Sequence, residues 1–510
     1  MSSRSDDVTL ARRWTDAVDA HGDETFLIFE GPGGTVTSWT YAEFDGVIAR
    51  FATELANRGV VPGRSVHVAL TNGPAFVAAW LATVRLGAWI VPSDPMGRTP
   101  EFADHVERTD PVVGCCARER AEEYVPALGD RSVLSLDEAD SGLDWLPGER
   151  FADWPEPDLH DRAAVMFTSG TTGRPKGVEI TQANYSFAGR TMAEAAALTS
   201  EDRQLVVLPL FHANAQYYSF ASAIWVGASV ALMHTFSASG FLHQAARHRA
   251  TCASLFAAPM RMILARGRPV DGTRLRHCWF AQNLDEGQYE TLSTWFGCRP
   301  RQLYGMTETI PAVLSDRADD PRCDSMGFVT PGCDVEVHDQ NGRPVAPGDV
   351  GEIVVRGEPG VRLFAGYLDD PETTAASFRD DWFRTGDRAR RDDTGRFFFD
   401  GRRSDVLKVA GENVSTVEVE AVVTAHPGVL EASVVGAPDA VRDEVPVAFV
   451  VPLDPSAAPG TDELSDWCAA RLGKAKVPRE FTLLDELPRT SVGKIRKFML
   501  HETALQEFAR

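Results

Sequence analysis

Thr168-Ser169-Gly170-Thr171-Thr172-Gly173-Arg174-Pro175-Lys176-Gly177 follows directly on the apolar run Ala163-Ala164-Val165-Met166-Phe167, so a strand-like segment empties into a loop of glycines and hydroxyls. Glycines let backbone N–H groups turn inward with no Cβ in the way, hydroxyls add donors and acceptors, and Lys176 brings a compact positive charge. That is the chemistry of a phosphate cradle. Thr168, Ser169, Gly170, Thr171, Thr172, Gly173 and Lys176 are therefore candidate nucleotide contacts. A lone Gly-rich loop would read as a surface turn; this many specified positions behind a strand favour nucleotide binding. The stretch is not a Walker A loop, because Lys176 lies three residues after Gly173 and is followed by Gly177 where that motif needs Ser or Thr.

Lysine placement supports the reading. Lysine occurs only at 176, 408, 474, 476, 494 and 497, so Arg supplies 45 of the 51 cationic residues. A biased genome explains the excess of Arg but not where lysine remains: in the cradle and in the last hundred or so residues. An ammonium and a guanidinium are not interchangeable at a phosphate.

At 510 residues and 44% hydrophobic, the chain is too long for one core, and two or more domains are expected. A formal charge of −22 argues against nucleic acid or an anionic membrane as partner, so a nucleotide must be held locally. The stretch Met1 to Leu10 is polar and lacks the pattern of a signal peptide. The most apolar run, Ala75 to Val91, contains Arg85 and reads as a buried helix rather than a membrane span. A cytoplasmic protein with no membrane partner is expected. The eight cysteines include no Cys-x-x-Cys and read as reduced thiols.

Strand-like and helix-like segments alternate from Phe26 to Arg317: Ser65–Leu70 before the Ala75 helix, Gln204–Leu208 before a helix near Tyr217, then Ser229–Met233. This predicts an α/β fold, a large N-terminal domain of layered sheets. From Gly327 short β pieces, Val335–His338 and Gly351–Arg356, suggest a small β-barrel-like subdomain. After Gly401 a helix over Thr416–His426 and strands at Ala432–Val435 and Val447–Val451 make a small α+β domain.

Four further motifs stand in order behind the cradle: Tyr304-Gly305-Met306-Thr307-Glu308-Thr309, Trp382-Phe383-Arg384-Thr385-Gly386-Asp387, Asp400 to Lys408, and Pro488-Arg489-Thr490-Ser491-Val492-Gly493-Lys494. With them nearly the whole chain resembles the adenylate-forming superfamily of acyl-CoA synthetases, peptide-synthetase adenylation domains and luciferases. Gly357–Gly360, Phe364–Thr374 and Gly411-Glu412-Asn413-Val414-Ser415 look most like the crotonobetaine/carnitine-CoA ligase branch. The resemblance implies an adenylation core over 1–401, a hinge at 402–404 and a mobile C-terminal domain over 405–510.

The reaction it implies joins a small-molecule carboxylic acid and ATP as acyl-AMP, with release of pyrophosphate, and then makes a thioester with CoA. The resemblance assigns Mg2+ to Glu308, α-phosphate contact to Thr307, adenine stacking to Tyr304 with Gly305 and Met306, ribose to Asp387, and ribose and phosphate to Arg402. Lys494 resembles the catalytic lysine, although beside Arg496 and Lys497 it would otherwise read as part of a basic tail. His212 resembles a gate between acyl pocket and CoA tunnel. Gln282 and Asn283 stand where the family has a Gly-Gly-Ala-Pro wall, and read as buried amides that need partners. Gly411 belongs to the loop lining the tunnel, where Ala410 replaces a first glycine, and Ser404 replaces the usual hinge Asp or Lys. Those two departures motivate a second reading, an enzyme that passes acyl-AMP to an acyl carrier or partner enzyme. A third is a catalytically silent nucleotide-binding protein. The resemblance leaves a monomer or homodimer open.

Overall fold

The computed structural model describes residues 8–138, 143, 145–168, 175–402, 406–409, 412–439, 442–489 and 495–508. Contacts divide the chain into two units, Met1–Val335 with Val355–Arg384, and Glu336–Val354 with Thr385–Arg510.

In the first unit the strands are β1 (Thr25–Glu30), β2 (Val36–Thr40), β3 (Ser65–Ala69), β4 (Trp89–Pro92), β5 (Val113–Ala117), β6 (Ser132–Leu136), β7 (Arg162–Thr168), β8 (Lys176–Thr181), β9 (Arg203–Val206), β10 (Ser229–Met233), β11 (Cys252–Phe256), β12 (His277–Ala281), β13 (Arg301–Tyr304), β14 (Leu314–Ser315) and β15 (Phe328–Val329). β18 (Gly366–Tyr367) also belongs to this unit, while β16 (Asp334–His338) and β17 (Val350–Arg356), which precede it, lie largely in the second. One sheet runs β15-β14-β13-β12-β11-β9-β10-β1-β2 and another β18-β8-β7-β4-β3-β5-β6. Their centres are parallel, and strands such as β3, β4, β5 and β10 are buried along their whole length. That is why β4, β5 and β10 read as nearly continuous apolar runs, whereas in β3 the buried Ser65 and His67 alternate with valine. Leu205, Ala231, Ala253, Leu255, Cys278 and Phe280 put an apolar cluster on one face of the larger sheet.

The run Ala75–Val91 proves to be two elements. The helix is Pro74–Arg85, buried at every position, and after Gly87 (φ 68°) the chain enters β4. Arg85 does not interrupt the helix: Asp45 accepts its Nη1 at 2.6 Å and Trp154 lies 3.8 Å beneath its guanidinium, so the charge is paired where it is buried. Among the described residues no helix is long and apolar enough to cross a membrane. All eight cysteines are free, five of them buried.

In the second unit β20 (Trp382–Arg391, after β19, Phe378–Arg379) pairs with β21 (Phe397–Arg402). A sheet of β22 (Val406–Val409), β23 (Glu412–Ser415), β24 (Val429–Asp439), β25 (Asp443–Pro452) and β26 (Glu480–Leu483) follows in the order β23-β22-β25-β24, with β26 on β25. Period-two alternation gives it two cores: Val434, Ala448 and Val450 on one face, and Val435, Val447 and Phe449 on the other. The helix ends at Thr424, two residues short of the expected span, and Ser415 caps its start by accepting from Glu418 N.

Candidate functional site

The loop ends are brought together by sheet pairing. In the β7–β8 register Thr168 stands opposite Lys176 and Phe167 opposite Gly177. A Cβ on Gly177 would lie 3.0 Å from Val165 Cγ1 and 3.1 Å from Leu368 Cβ, so a side chain there would require these neighbours to give by a few tenths of an ångström. The helix Thr99–Thr109 grips both ends. His105 stacks on Phe167 with centroids 3.9 Å apart and planes 6° from parallel, Arg108 places its guanidinium 4.6 Å from the same ring, and Arg108 Nη1 donates to Pro175 O at 2.7 Å. Ser169, Gly170, Thr171, Thr172 and Gly173 lie outside the described residues.

Lys176 leads to Glu308 through one aromatic ring. Its Nζ sits 4.6 Å from the ring centroid of Tyr367, and the Tyr367 hydroxyl donates to Glu308 Oε1 at 3.0 Å. Phe364 N donates to Glu308 O at 2.9 Å, so the segment approaching β18 holds both the side chain and the main chain of Glu308. Glu308 is buried, within a short 3-10 turn over Thr307–Thr309. Thr309 Oγ1 closes that turn, accepting from Met306 N at 3.0 Å. Ile310, with φ 71°, follows in a conformation that a β-branched residue rarely adopts. Burial and the neighbouring Glu308 carboxylate raise the Tyr367 pKa, so its hydroxyl stays a donor.

Gly305 follows β13 with no room for a side chain. A Cβ there would lie 2.8 Å from Pro311 O and 2.9 Å from both Ala312 Cα and Tyr218 Oη. Tyr218 comes from a π-helix over Asn214–Ala221, a wide-turned form that is rare and concentrated at functional sites. Burial pushes the pKa of the neighbouring Tyr217 far up, with the Glu308 charge contributing. His212, half-buried, precedes this helix with its ring 4.3 Å from that of Phe211.

Gln282 and Asn283 follow β12 but are exposed rather than buried. Asn283 Oδ1 accepts from Gln302 Nε2 at 3.1 Å, while Gln282 takes φ 74°. Their amides are met by a neighbouring strand and by solvent, which removes the demand for a polar partner that burial would have imposed.

In the second unit Asp387 and Arg402 are opposite each other in the β20–β21 register, and Arg402 Nε donates to Asp387 Oδ1 at 2.8 Å. Asp387 is buried, and Gly386 before it, at φ 75°, donates to Glu352 Oε1. Ser404, Ala410, Gly411 and Lys494 lie outside the described residues.

Tyr367, Arg108 and the π-helix had no assigned role in the sequence reading. Tyr367 lay within a stretch noted only for its resemblance to one branch. A pocket of about 340 Å³ lined by Trp89, His160, Arg162 and Glu179 belongs to a different region. Arg162 begins β7 and Thr168 ends it, a separation of roughly 20 Å along a strand.

Thr168, Gln282 and Tyr304 each end or follow a strand whose sheet is parallel at its centre, where open α/β sheets bind ligands. With Lys176 linked through Tyr367 to the buried Glu308 carboxylate, the class is an α/β nucleotide-binding enzyme. The chain belongs to the AMP-binding enzyme family, which it matches over residues 14–368, with the AMP-binding enzyme C-terminal domain matched over 418–494. It is 34% identical over 504 residues to the crotonobetaine/carnitine–CoA ligase of Escherichia coli O157:H7 (strain EC4115 / EHEC), covering 95% of this chain and 97% of that one. Among solved structures it resembles ATP-bound MatB from Rhodopseudomonas palustris, with TM-score 0.88 and 26% identity over 97% of this chain and 99% of that one. It also resembles a benzoate CoA ligase from Burkholderia xenovorans LB400, with TM-score 0.86 and 25% identity over 97% and 100% of the two chains.

Proposed function

We propose that this protein activates a carboxylic acid with ATP as an acyl-adenylate, releases pyrophosphate, and transfers the acyl group to CoA as a thioester. The observation that carries the reading is the Lys176–Tyr367–Glu308 relay, which sets a cation and a buried carboxylate beside the two ends of the loop. The names of its relatives as CoA ligases support the same reaction class.

The difficulty in such a reaction is electrostatic, since a carboxylate must approach a phosphate that is also negative. Thr168 and Lys176 take the outer phosphates, and Thr307 contacts the phosphate that stays on the nucleotide. Tyr304, Gly305 and Met306 form the adenine wall, Asp387 and Arg402 hold the ribose, and His212 separates the acyl group from the thiol. Lys494 supplies charge to the transition state of adenylation. The domain reading, with a hinge at 402–404, lets the same chain then serve thioester formation.

Glu308 fits a hard divalent cation. Its carboxylate is buried and accepts a hydrogen bond from the Tyr367 phenol, and Mg2+ takes one or two carboxylates together with substrate phosphates. Such an ion would neutralise phosphate charge when bound.

The test is acid-dependent pyrophosphate release over a panel of carboxylates, with and without CoA. Release with at least one acid, and a thioester when CoA is present, is expected. Acyl-AMP that accumulates despite CoA removes the ligase step, and no release with any acid removes activation itself.

A further inference from the structure

The turn that carries His212 is held by a residue far from it in sequence. His212 N donates to Pro209 O at 3.2 Å and closes a turn over 209–212. A β-turn makes that one bond and leaves the N–H and C=O of its first central residue, here Leu210, to find partners elsewhere. Leu210 is buried, so water does not supply them. Two buried side-chain amides do. Leu210 N donates to Asn72 Oδ1 at 2.8 Å across 138 positions, and Gln216 Nε2 of the π-helix donates to Leu210 O at 2.6 Å. Phe211 and His212 follow, both partly exposed.

Asn72 ties that turn to both large sheets. It stands three residues after β3 of one sheet, and its Nδ2 donates to Leu208 O at 3.0 Å and to Met233 O at 3.2 Å. Leu208 follows β9 and Met233 ends β10, neighbours in the other sheet. The amide, 4% exposed, uses both its N–H donors and its oxygen, and only this orientation gives each of the three contacts a donor and an acceptor. Its main chain is anchored as well. A carbonyl only accepts, so His234 Nδ1 donates to Asn72 O, at 3.2 Å, and Thr71 N before it donates to Glu138 Oε1 at 2.8 Å. β3, β9 and β10 run parallel to their sheet neighbours β4, β5 and β1, and all three present their carboxyl ends here, where open α/β sheets bind ligands. One buried amide therefore sets the His212 turn against the carboxyl ends of strands from both sheets.

We propose that Asn72 is a positioning residue for thioester formation, holding His212 in place through Leu210. This rests on the acid-activating function and on the place given to His212 within it. Asn72 acts through the turn and not on the reacting atoms. Without its amide, Leu210 N–H, Leu208 O and Met233 O lose their side-chain partner in a buried region, and the turn must shift to find others. A misplacement of about 1 Å costs about a hundredfold where groups must be aligned for reaction. Transfer to the thiol, which depends on His212, loses most. Adenylation, which depends on the charges of Lys176 and Glu308, loses little.

The experiment uses the full chain with an acid that the wild type accepts, and compares Asn72→Leu, Asn72→Asp, His212→Ala and the double variant Asn72→Leu/His212→Ala. Acid-dependent pyrophosphate exchange without CoA reads adenylation, and thioester formed per AMP reads transfer. Asn72→Leu should keep exchange within about threefold of wild type while the thioester rate falls about tenfold or more and AMP exceeds thioester. The double variant should match His212→Ala within about twofold, because Asn72 acts through His212 and such effects do not add. Hydrogen exchange at the Leu210 amide should rise in Asn72→Leu without a rise in β12. Asn72→Asp keeps an acceptor for Leu210 N–H and loses at least one donor, so its fall should be smaller; it carries the test if Asn72→Leu does not fold. Equal losses in both half-reactions, additive losses in the double variant or unchanged transfer overturns the positioning role and leaves acid activation standing. Full transfer in His212→Ala overturns the place given to His212, and the positioning role with it. Silence with every acid overturns activation itself, and both roles with it.

Discussion

Tyr367 donates its hydroxyl to Glu308 Oε1 at 3.0 Å while Lys176 rests on the face of the same ring. The geometry makes Tyr367 a positioning residue for both. It fixes one carboxylate oxygen of Glu308, and its ring face attracts the ammonium of Lys176. Tyr367→Phe keeps the ring and removes the bond to a charged acceptor, a change worth about 1.5–3 kcal/mol. Pyrophosphate release should fall tenfold or more, with an increased Mg2+ requirement. A structural role alone would lower thermal stability without moving the Mg2+ dependence.

Glu308→Gln removes the charge and keeps the shape. Adenylation should fall at least a hundredfold while ATP-free thermal stability stays close to wild type, measured by pyrophosphate release and a melting curve.

Arg108 holds Pro175 O and covers Phe167, so it fixes the two flanks of the loop. Arg108→Ala should raise KM for ATP several-fold and leave KM for the acid nearly unchanged. Equal effects on both substrates would point to general destabilisation.

Acid should destabilise the first unit through a buried histidine pair. Ser93 Oγ bridges His67 Nε2 at 2.9 Å and His105 Nδ1 at 2.8 Å, and His67 Nδ1 meets Tyr124 Oη at 2.6 Å. Burial holds His105 down at about 4 and His67 well below its ordinary value. Both rings are neutral in the fold, so the unfolded chain takes up protons first as pH falls below about 6.5. Stability is therefore full above that pH and declines towards pH 4, by about 2–3 kcal/mol for His105. Denaturant unfolding at several pH values should show this slope, and His105→Gln should flatten it.

The strand leading into the loop was legible because Ala163–Phe167 is a continuous apolar run, and the parallel sheets because most of their buried strands read as apolar runs. The end of the Pro74 helix was not legible. Arg85 is the last residue of the helix, paired with Asp45 and covered by Trp154, and the chain turns towards β4 at Gly87. Gln282 and Asn283 were read as buried because sequence position carries no information about exposure at a strand end. Tyr367 was missed for a related reason: it meets Glu308 across 59 positions, and only the pairing of β18 with β8 brings it alongside Lys176.

The most direct test of acid activation through an adenylate is exchange of labelled pyrophosphate into ATP, without CoA and with an accepted acid. The wild type should catalyse acid-dependent exchange and form AMP, whereas Lys494→Ala should lose exchange while keeping its melting temperature. Exchange that does not depend on acid, release of ADP in place of AMP, or near-normal exchange in Lys494→Ala would contradict the account.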